Sequence, residues 1–504
     1  MVARCLPDPV TIADGGMSVL RSPKQPRIAI IGGGISGIAT AHYLRRAGLT
    51  NFTVFEASAG IGGTWYDNRY PGAEIDTPSH LYTYTFSSYD WSQRYATNDE
   101  ILAYVEKTVD QHDLRRHFRL NAIVQSVVWS DSDARYTVTL GTGETLDVEA
   151  VVSCIGFLNV PLIPDWAEVA TSPVHIVHTA RWPDDLKLDG LNVGVVGTGS
   201  SAVQVVAEAA KVAKSVTVFQ RSPNWAMPKG NRSFTAEERH HQSRPIPYFL
   251  KFVHEYYKYE KIKILGKQDQ PGSRTNERMR RIAEAHLRRA LDGRPDLIGK
   301  LTPDFPFYGK RPIVNDLYYQ AIRLPHVTIA QAVRDIGPHG LRDAEGKVHN
   351  LDLVVLATGF QAARYLSRLE VRGANGQDLQ EVWAGEPSAY LGACMPGFPN
   401  FFMLYGPNSN AGPVIFMLEC QAKFAADCIA DMARRGARRV EVRRRAFDKY
   451  NRWLQARLET SVYKSTVNYF TAPSGKVVTQ WPFSATRFWW LCVSERRRAM
   501  RLSA

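Results

Sequence analysis

An α/β architecture with two Rossmann-like dinucleotide-binding domains and a helical insertion is predicted by three features of this sequence. A strand, a glycine-containing turn, a helix and a second strand follow one another twice. Two further apolar runs, each ending in glycine, stand on either side of the second of these units. A long charged stretch with helical periodicity interrupts the chain between the second unit and the later apolar run.

The first unit opens with the apolar strand Arg27 to Ile31, runs through Gly32-Gly33-Gly34-Ile35-Ser36-Gly37 and enters a helical pattern from Ile38 to Ala47. Gly32 permits the tight turn, Gly34 lets the backbone approach a pyrophosphate, and Gly37 lets the helix pack on the strand with its N-terminus facing the phosphates. The next strand, Phe52 to Phe55, ends in Glu56. That is about 20 residues beyond the last glycine, where a carboxylate can accept hydrogen bonds from a ribose diol. A glycine turn alone is a weak signal, but strand, turn, helix, strand and terminal acid together match the full dinucleotide-binding context.

The pattern recurs in the strand Asn192 to Val196, the turn Gly197-Thr198-Gly199-Ser200-Ser201-Ala202, a helix through Ala213 and the strand Ser215 to Phe219. This copy ends in Gln220-Arg221, and Arg221 stands at the same offset from Ala202 as Glu56 from Gly37. A carboxylate would repel a ribose 2′-phosphate, whereas a guanidinium binds it through charge-assisted hydrogen bonds. The first unit is therefore expected to hold a nucleotide with a free 2′-hydroxyl and the second to hold NADPH.

The runs Val151 to Gly156 and Leu353 to Gly359 read as strands at which the chain leaves and re-enters the first domain. The expected division is a flexible leader at 1–26, a discontinuous FAD-binding domain at 27–160 and 345–504, and an NADP-binding domain at 161–344. The charged segments at about 229–300, such as Thr275 to Leu291, form its helical insertion.

Composition narrows the function classes. The formal charge is +13, from 62 Lys and Arg against 49 Asp and Glu. The basic clusters Arg278 to Arg289, Arg434 to Arg445 and Arg496 to Arg501 sit in helix-like stretches without the interleaved aromatics of a single-strand binder, so no nucleic-acid partner is expected. The six cysteines are scattered, with no CxxC pair and no zinc spacing. This fits a reducing, cytoplasmic setting and argues against a flavin disulfide reductase, whose chemistry needs two neighbouring thiols. The uncharged run Pro387 to Leu418 contains five prolines, which exclude a continuous membrane helix; it is expected as irregular chain buried against another domain or a cofactor. No membrane span and no bound metal are expected.

Gly62-Gly63-Thr64-Trp65-Tyr66-Asp67-Asn68-Arg69-Tyr70-Pro71-Gly72, followed by Asp76, resembles the second signature of type I Baeyer-Villiger monooxygenases, within the class B flavin monooxygenases. The family fingerprint before the second nucleotide turn matches in part: His178, Trp182 and Pro183 fit, while Ser172 stands for the family's Phe and Val174 for its Gly. Lys310-Arg311-Pro312 resembles another family element, and Asn400 to Gln421, with Gly406-Pro407-Asn408-Ser409-Asn410, resembles the acetophenone-oxidising subgroup. The resemblance covers about residues 27 to 480.

The resemblance implies an FAD- and NADPH-dependent enzyme that traps O₂ as a flavin C4a-peroxide and converts a ketone to an ester or lactone. Ser36, Glu56, Thr64, Trp65, Asp76, Tyr82 and Val124 are implied along the FAD. Thr198 through Ala202, Gln220, Arg221 and Lys310 are implied at NADP, with Glu74 and Ile75 beside it. Arg311 is implied over the flavin as a permanent cation that stabilises anionic species, with Asp76 orienting it. The sequence leaves open a nitrogen- or sulfur-oxygenating flavin monooxygenase and a non-enzymatic redox-sensing flavoprotein.

Overall fold

The computed structural model describes residues 25–167, 174–264, 267–466 and 468–504. The expected leader, but for Gln25 and Pro26, and Ser172 of the partial fingerprint lie outside the described residues.

The first unit folds as β1 (Ile28–Ile31), α1 (Ile35–Arg46) and β2 (Phe52–Phe55). β3 (Phe118–Arg119) extends its sheet beyond β2, and β4 (Ala150–Ser153) pairs with the opposite edge of β1. After β4 the chain crosses to the second unit through β5 (His175–His178), then forms β6 (Asn192–Val196), α2 (Ser200–Val212) and β7 (Ser215–Phe219). The insertion follows, with its two longest helices α3 (Pro245–Ile264) and α4 (Arg274–Ala290), before β8 (Val327–Ala330) and β9 (Leu353–Leu356) complete the second sheet. The chain then returns to the first sheet as β10 (Phe401–Met403), continues into α5 (Val414–Arg434) and later forms α6 (Ala485–Ser494).

Both sheets are parallel and five-stranded, in the orders β10-β4-β1-β2-β3 and β8-β7-β6-β9-β5. Parallel strands buried on both faces read as continuous apolar runs rather than alternations, and β1, β4 and β9 are buried at every position. One apolar core surrounds the first sheet and α5, and two separate clusters cover the two faces of the second sheet.

Three expectations are corrected. Leu353 to Leu356 lies between β6 and β5 inside the second sheet, so the return to the first sheet comes after Ala357 and not at 345. An apolar run ending in glycine does not say which sheet it joins. The uncharged run holds β10 and the start of α5 as well as irregular chain; Pro413 stands at the N-cap of α5, where a missing N–H interrupts nothing. The basic run Arg434 to Arg445 is broken by the strand Arg439–Val442, and Met500–Ser503 of the basic tail pairs with it antiparallel. Alternation explains this, since Val440, Val442 and Met500 are buried while Arg439, Glu441 and Arg501 alternate with them on the outer side.

The two crossings run side by side. Leu162 N–H donates to Gly359 O at 2.9 Å and Gln361 N–H to Val160 O at 2.9 Å, with Thr358 Oγ1 donating to Leu162 O. His178 is buried at the end of β5 and fastens to this junction: its Nδ1 accepts from Ala180 N–H at 3.1 Å, so Nε2 carries the proton and donates to Gly359 O at 3.1 Å. Burial lowers its pKa, which keeps the ring neutral in this position.

Candidate active site

A cleft of about 2350 Å³ runs between the two sheets and under the insertion. Single-ligand pockets are typically about 300–1,000 Å³, so this space suits more than one ligand. Both glycine turns open into it.

At the first turn Gly32 has φ +106°, and an added Cβ would lie 2.7 Å from Cys154 O, so a side chain is excluded by backbone and not by a movable neighbour. A Cβ on Gly37 would collide with Gly32 O, which holds the helix start against the strand end. The helix begins at Ile35, inside the turn, because the last three turn residues already take its first coil while Gly34 is its extended N-cap. No side chain caps α1, leaving its first N–H groups free toward the cleft, the condition for anion binding at a helix N-terminus. Glu56 is buried, taking Gly33 N–H on Oε2 at 2.6 Å and Ser58 N–H on Oε1 at 2.8 Å. Each oxygen keeps a lone pair for a hydroxyl donor.

At the second turn Gly197 has φ +126° and presses on Ala357 O, while Gly199 faces open space with no atom within 4 Å of an added Cβ. α2 is likewise uncapped by any side chain. Thr198 Oγ1 donates to Ser222 O at 2.9 Å, and Lys310 Nζ donates to Ser222 Oγ, which gathers the turn, the end of β7 and the Lys-Arg-Pro element. Burial and the neighbouring Arg221 lower the pKa of Lys310, with Asp304 opposing them. Two cations placed to repel each other in a cleft suit a multiply charged anion such as a phosphate.

The units meet along Glu74 to Asp76. Residues two apart on extended chain share a face, and here each carboxylate takes a cation from beyond the second turn. Glu74 pairs with Lys229 at 2.5 Å, and Asp76 accepts from one Arg311 nitrogen at 2.8 and 2.7 Å on its two oxygens. Lys229 is buried, which lowers its pKa, while Glu74 opposes the shift. Arg311 retains 44% of its side-chain surface, yet that surface faces the cleft between the units and not bulk solvent. Asp76 drives its pKa well above the ordinary guanidinium value, against the effect of burial, so it is cationic at every working pH. Tyr469, Tyr82, Tyr259, Tyr308 and Tyr405 surround it, all held neutral by burial.

Of the sequence-predicted residues, Gly32, Gly34, Ser36, Glu56, Thr64, Trp65, Glu74, Ile75, Asp76, Tyr82 and Val124 line the cleft from the first unit. Gly197, Thr198, Gly199, Ser200, Ser201, Arg221, Lys310 and Arg311 line it from the second. Trp65 is oriented by Nε1–H donating to the Tyr82 hydroxyl at 2.8 Å. Three others do not line it. Gly37 and Ala202 serve helix packing, and Gln220 is buried with its amide donating to Lys300 O at 2.8 Å. Lys229, Ser222, Tyr259 and Tyr469 were not found in the sequence, because each belongs to a loop or insertion helix without a motif of its own. A lysine closely following the second unit and lacking an acidic neighbour was the one available signal for Lys229.

The residues present fit FAD in the first unit and NADP in the second: two uncapped helix N-termini, a ribose-distance carboxylate in one and paired cations in the other.

A family model for an NAD(P)-binding Rossmann-like domain matches residues 30–98, and one for L-lysine 6-monooxygenase/L-ornithine 5-monooxygenase matches 76–289. A Baeyer-Villiger monooxygenase of Pseudomonas aeruginosa is 32% identical over 483 residues, covering 94% of this chain and 91% of that protein. The crystal structure of cyclohexanone monooxygenase from Rhodococcus sp. Phi1 bound to NADP⁺ superposes with a TM-score of 0.86 at 28% identity, covering 96% of this chain and all of that one. That of OTEMO in complex with FAD and NADP gives 0.87 at 26% identity, covering 95% and 100%.

Proposed function

The chain belongs to the Baeyer-Villiger branch of the flavin-dependent monooxygenases, and from that premise we propose that it uses FAD, NADPH and O₂ to convert a ketone to an ester or lactone. The observation that carries the assignment to this cleft is the Arg311–Asp76 pair, a fixed cation joining the two nucleotide units.

Bound FAD supplies the oxygen-activating chemistry and NADPH its electrons. The protein's part is positioning and electrostatics. Asp76 engages one guanidinium nitrogen, leaving further N–H donors on Arg311 for negative charge that develops on the substrate oxygen. Because Arg311 stays protonated, it stabilises that charge without delivering a proton. The phenols around it limit water in the reacting region, which strengthens the cation's field. Arg221 and Lys310 select the 2′-phosphate of NADPH, and Glu56 holds the ribose of FAD. The described residues contain no helix long and apolar enough to cross a membrane. The five described cysteines are buried and none forms a disulfide with another described residue, in keeping with a cytoplasmic setting.

The test is product analysis by mass spectrometry with ¹⁸O₂, NADPH and a mixed panel of ketones, amines and sulfides. One ¹⁸O in the ester oxygen of a ketone product is the expected result. Labelled amine or sulfide oxides without any ester would replace the ketone reading by nitrogen or sulfur oxygenation.

A further inference from the structure

The insertion helix α3 has two unlike faces. Its inner face turns Tyr259, Glu260 and Lys263 to the cleft. Its outer face carries Ile246, Leu250, Tyr257 and Ile264, exposed by 73%, 60%, 60% and 54%. Leu250, Tyr257 and Ile264 are spaced by seven residues, and Ile246 precedes Leu250 by four, so all four fall on one narrow stripe. The neighbouring helix continues it. Thr486 of α6 hydrogen-bonds Tyr256 of α3 at 2.9 Å, and on the same stripe of α6 as Thr486 stand Trp490 and Val493, exposed by 47% and 54%.

Charge on α3 is sorted the same way. Both of its carboxylates are drawn inward. Glu260 caps α6 by accepting from Ala485 N–H at 2.8 Å and from Thr486 N–H and Oγ1, and Glu255 is 7% exposed and meets Lys258 from within at 3.4 Å. Lys258 and Lys261 remain outside, along one side of the apolar stripe. An exposed row of Ile, Leu, Tyr and Trp bordered by lysines and by no outward acid has the composition of an interfacial helix.

We infer that this α3–α6 face docks the protein on an anionic lipid surface, with the apolar stripe entering the headgroup boundary and Lys258 and Lys261 meeting lipid phosphates. Charge complementarity selects this occupant. In a two-fold contact between copies, the same patch meets itself, bringing lysines of both copies together with no outward α3 carboxylate to receive them. The helix lies on the surface and does not cross it. Because the opposite face of α3 borders the cleft, an apolar compound dissolved in lipid reaches the protein beside its site. The docking itself does not depend on which substrate is oxidised.

The test is co-sedimentation of the FAD-loaded full chain with vesicles of phosphatidylcholine alone and of phosphatidylcholine mixed with phosphatidylglycerol, at low and high salt. Binding to the mixed vesicles, weakened by salt, is expected. Lys258→Ala with Lys261→Ala should weaken it on the order of thirtyfold, about fivefold for each lysine near an anionic surface. Leu250→Glu with Tyr257→Glu should abolish it while flavin content and NADPH oxidation stay at the wild-type level. Absence of binding to anionic vesicles, or binding indifferent to Leu250→Glu and Tyr257→Glu, overturns the inference. So does light scattering that finds a dimer which Leu250→Glu dissociates, since the face is then covered by a second copy.

Discussion

The two nucleotide units share a backbone device and differ in everything that chooses the ligand. In both, the first glycine has positive φ and presses on the carbonyl that follows a neighbouring strand, Cys154 O for Gly32 and Ala357 O for Gly197. Neither position tolerates a side chain, since the obstacle is main chain in each. The third position separates them: Gly37 has no room for a Cβ, whereas Ala202 has one and is buried with it. The middle glycine differs too. Gly34 lies against the Gly62–Gly63 loop, with an added Cβ 3.3 Å from Gly63 Cα, while Gly199 faces open space. A turn closed by a second loop suits a group that is kept, and an open turn suits a nucleotide that comes and goes. On the proposed function, the residues after the strands choose the nucleotide, Glu56 in one unit and Arg221, joined by Lys310, in the other.

The largest expected effect lies at the position where the two units disagree most. Gly37→Val should exceed the about 1–3 kcal/mol usual for overpacking, because the turn's own carbonyl cannot move aside, and should yield protein without flavin. Ala202→Gly should weaken the second unit by only about 0.5–1 kcal/mol, the backbone-entropy difference in a helix. Urea midpoints and the flavin-to-protein absorbance ratio measure both. Equal losses at the two positions would break the asymmetry argued above.

Arg311 tests the junction and not either unit. Arg311→Ala should leave FAD bound and NADPH oxidation measurable, because the nucleotide contacts lie elsewhere. Ester formation should fall about 10²- to 10³-fold, as when one oxyanion donor is lost, with the consumed NADPH appearing as hydrogen peroxide. Ester, peroxide and NADPH quantified together on one accepted ketone decide it. Ester formation at the wild-type rate would remove Arg311 from the chemistry.

The difference between the units was readable in the sequence because local pattern sets it. Strand ends, turn glycines and the residue about 20 positions later lie within one continuous stretch, so their geometry follows from few bonds. The strands Asn192–Val196 and Ser215–Phe219 have the predicted limits. What was not readable depends on chain brought from far away. Lys229 reaches Glu74, and Tyr469 reaches Arg311, through loops whose folds no short pattern encodes. Gln220 stands away from the cleft for a related reason: its neighbour Arg221 lines it, whereas the Gln220 amide donates to Lys300 O, on chain brought in by the insertion. His178, a weak candidate in isolation, is a fastened linker residue whose partner Gly359 lies in the other crossing.

The remaining effect is the most selective one. Arg221 and Lys310 converge on the open second turn, where Lys310 is already held by Ser222 and its charge is disfavoured by Arg221 beside it. A 2′-phosphate arriving there relieves that repulsion, whereas NADH, with a plain hydroxyl, does not. Arg221→Ala should therefore lose about 1.5–3 kcal/mol of NADPH affinity, roughly tenfold to a hundredfold in Kd, while NADH binding changes little. Lys310→Ala should act in the same direction. The double variant should lose less than the sum of the two, because removing either cation relieves the strain on the other. Titration of both coenzymes against wild type, the two single variants and the double variant measures each of these quantities. If NADH weakens in parallel with NADPH, the pair supports the turn without reading the phosphate. If neither coenzyme responds, the second unit is not where the 2′-phosphate binds, and the division of labour between the two turns fails with it.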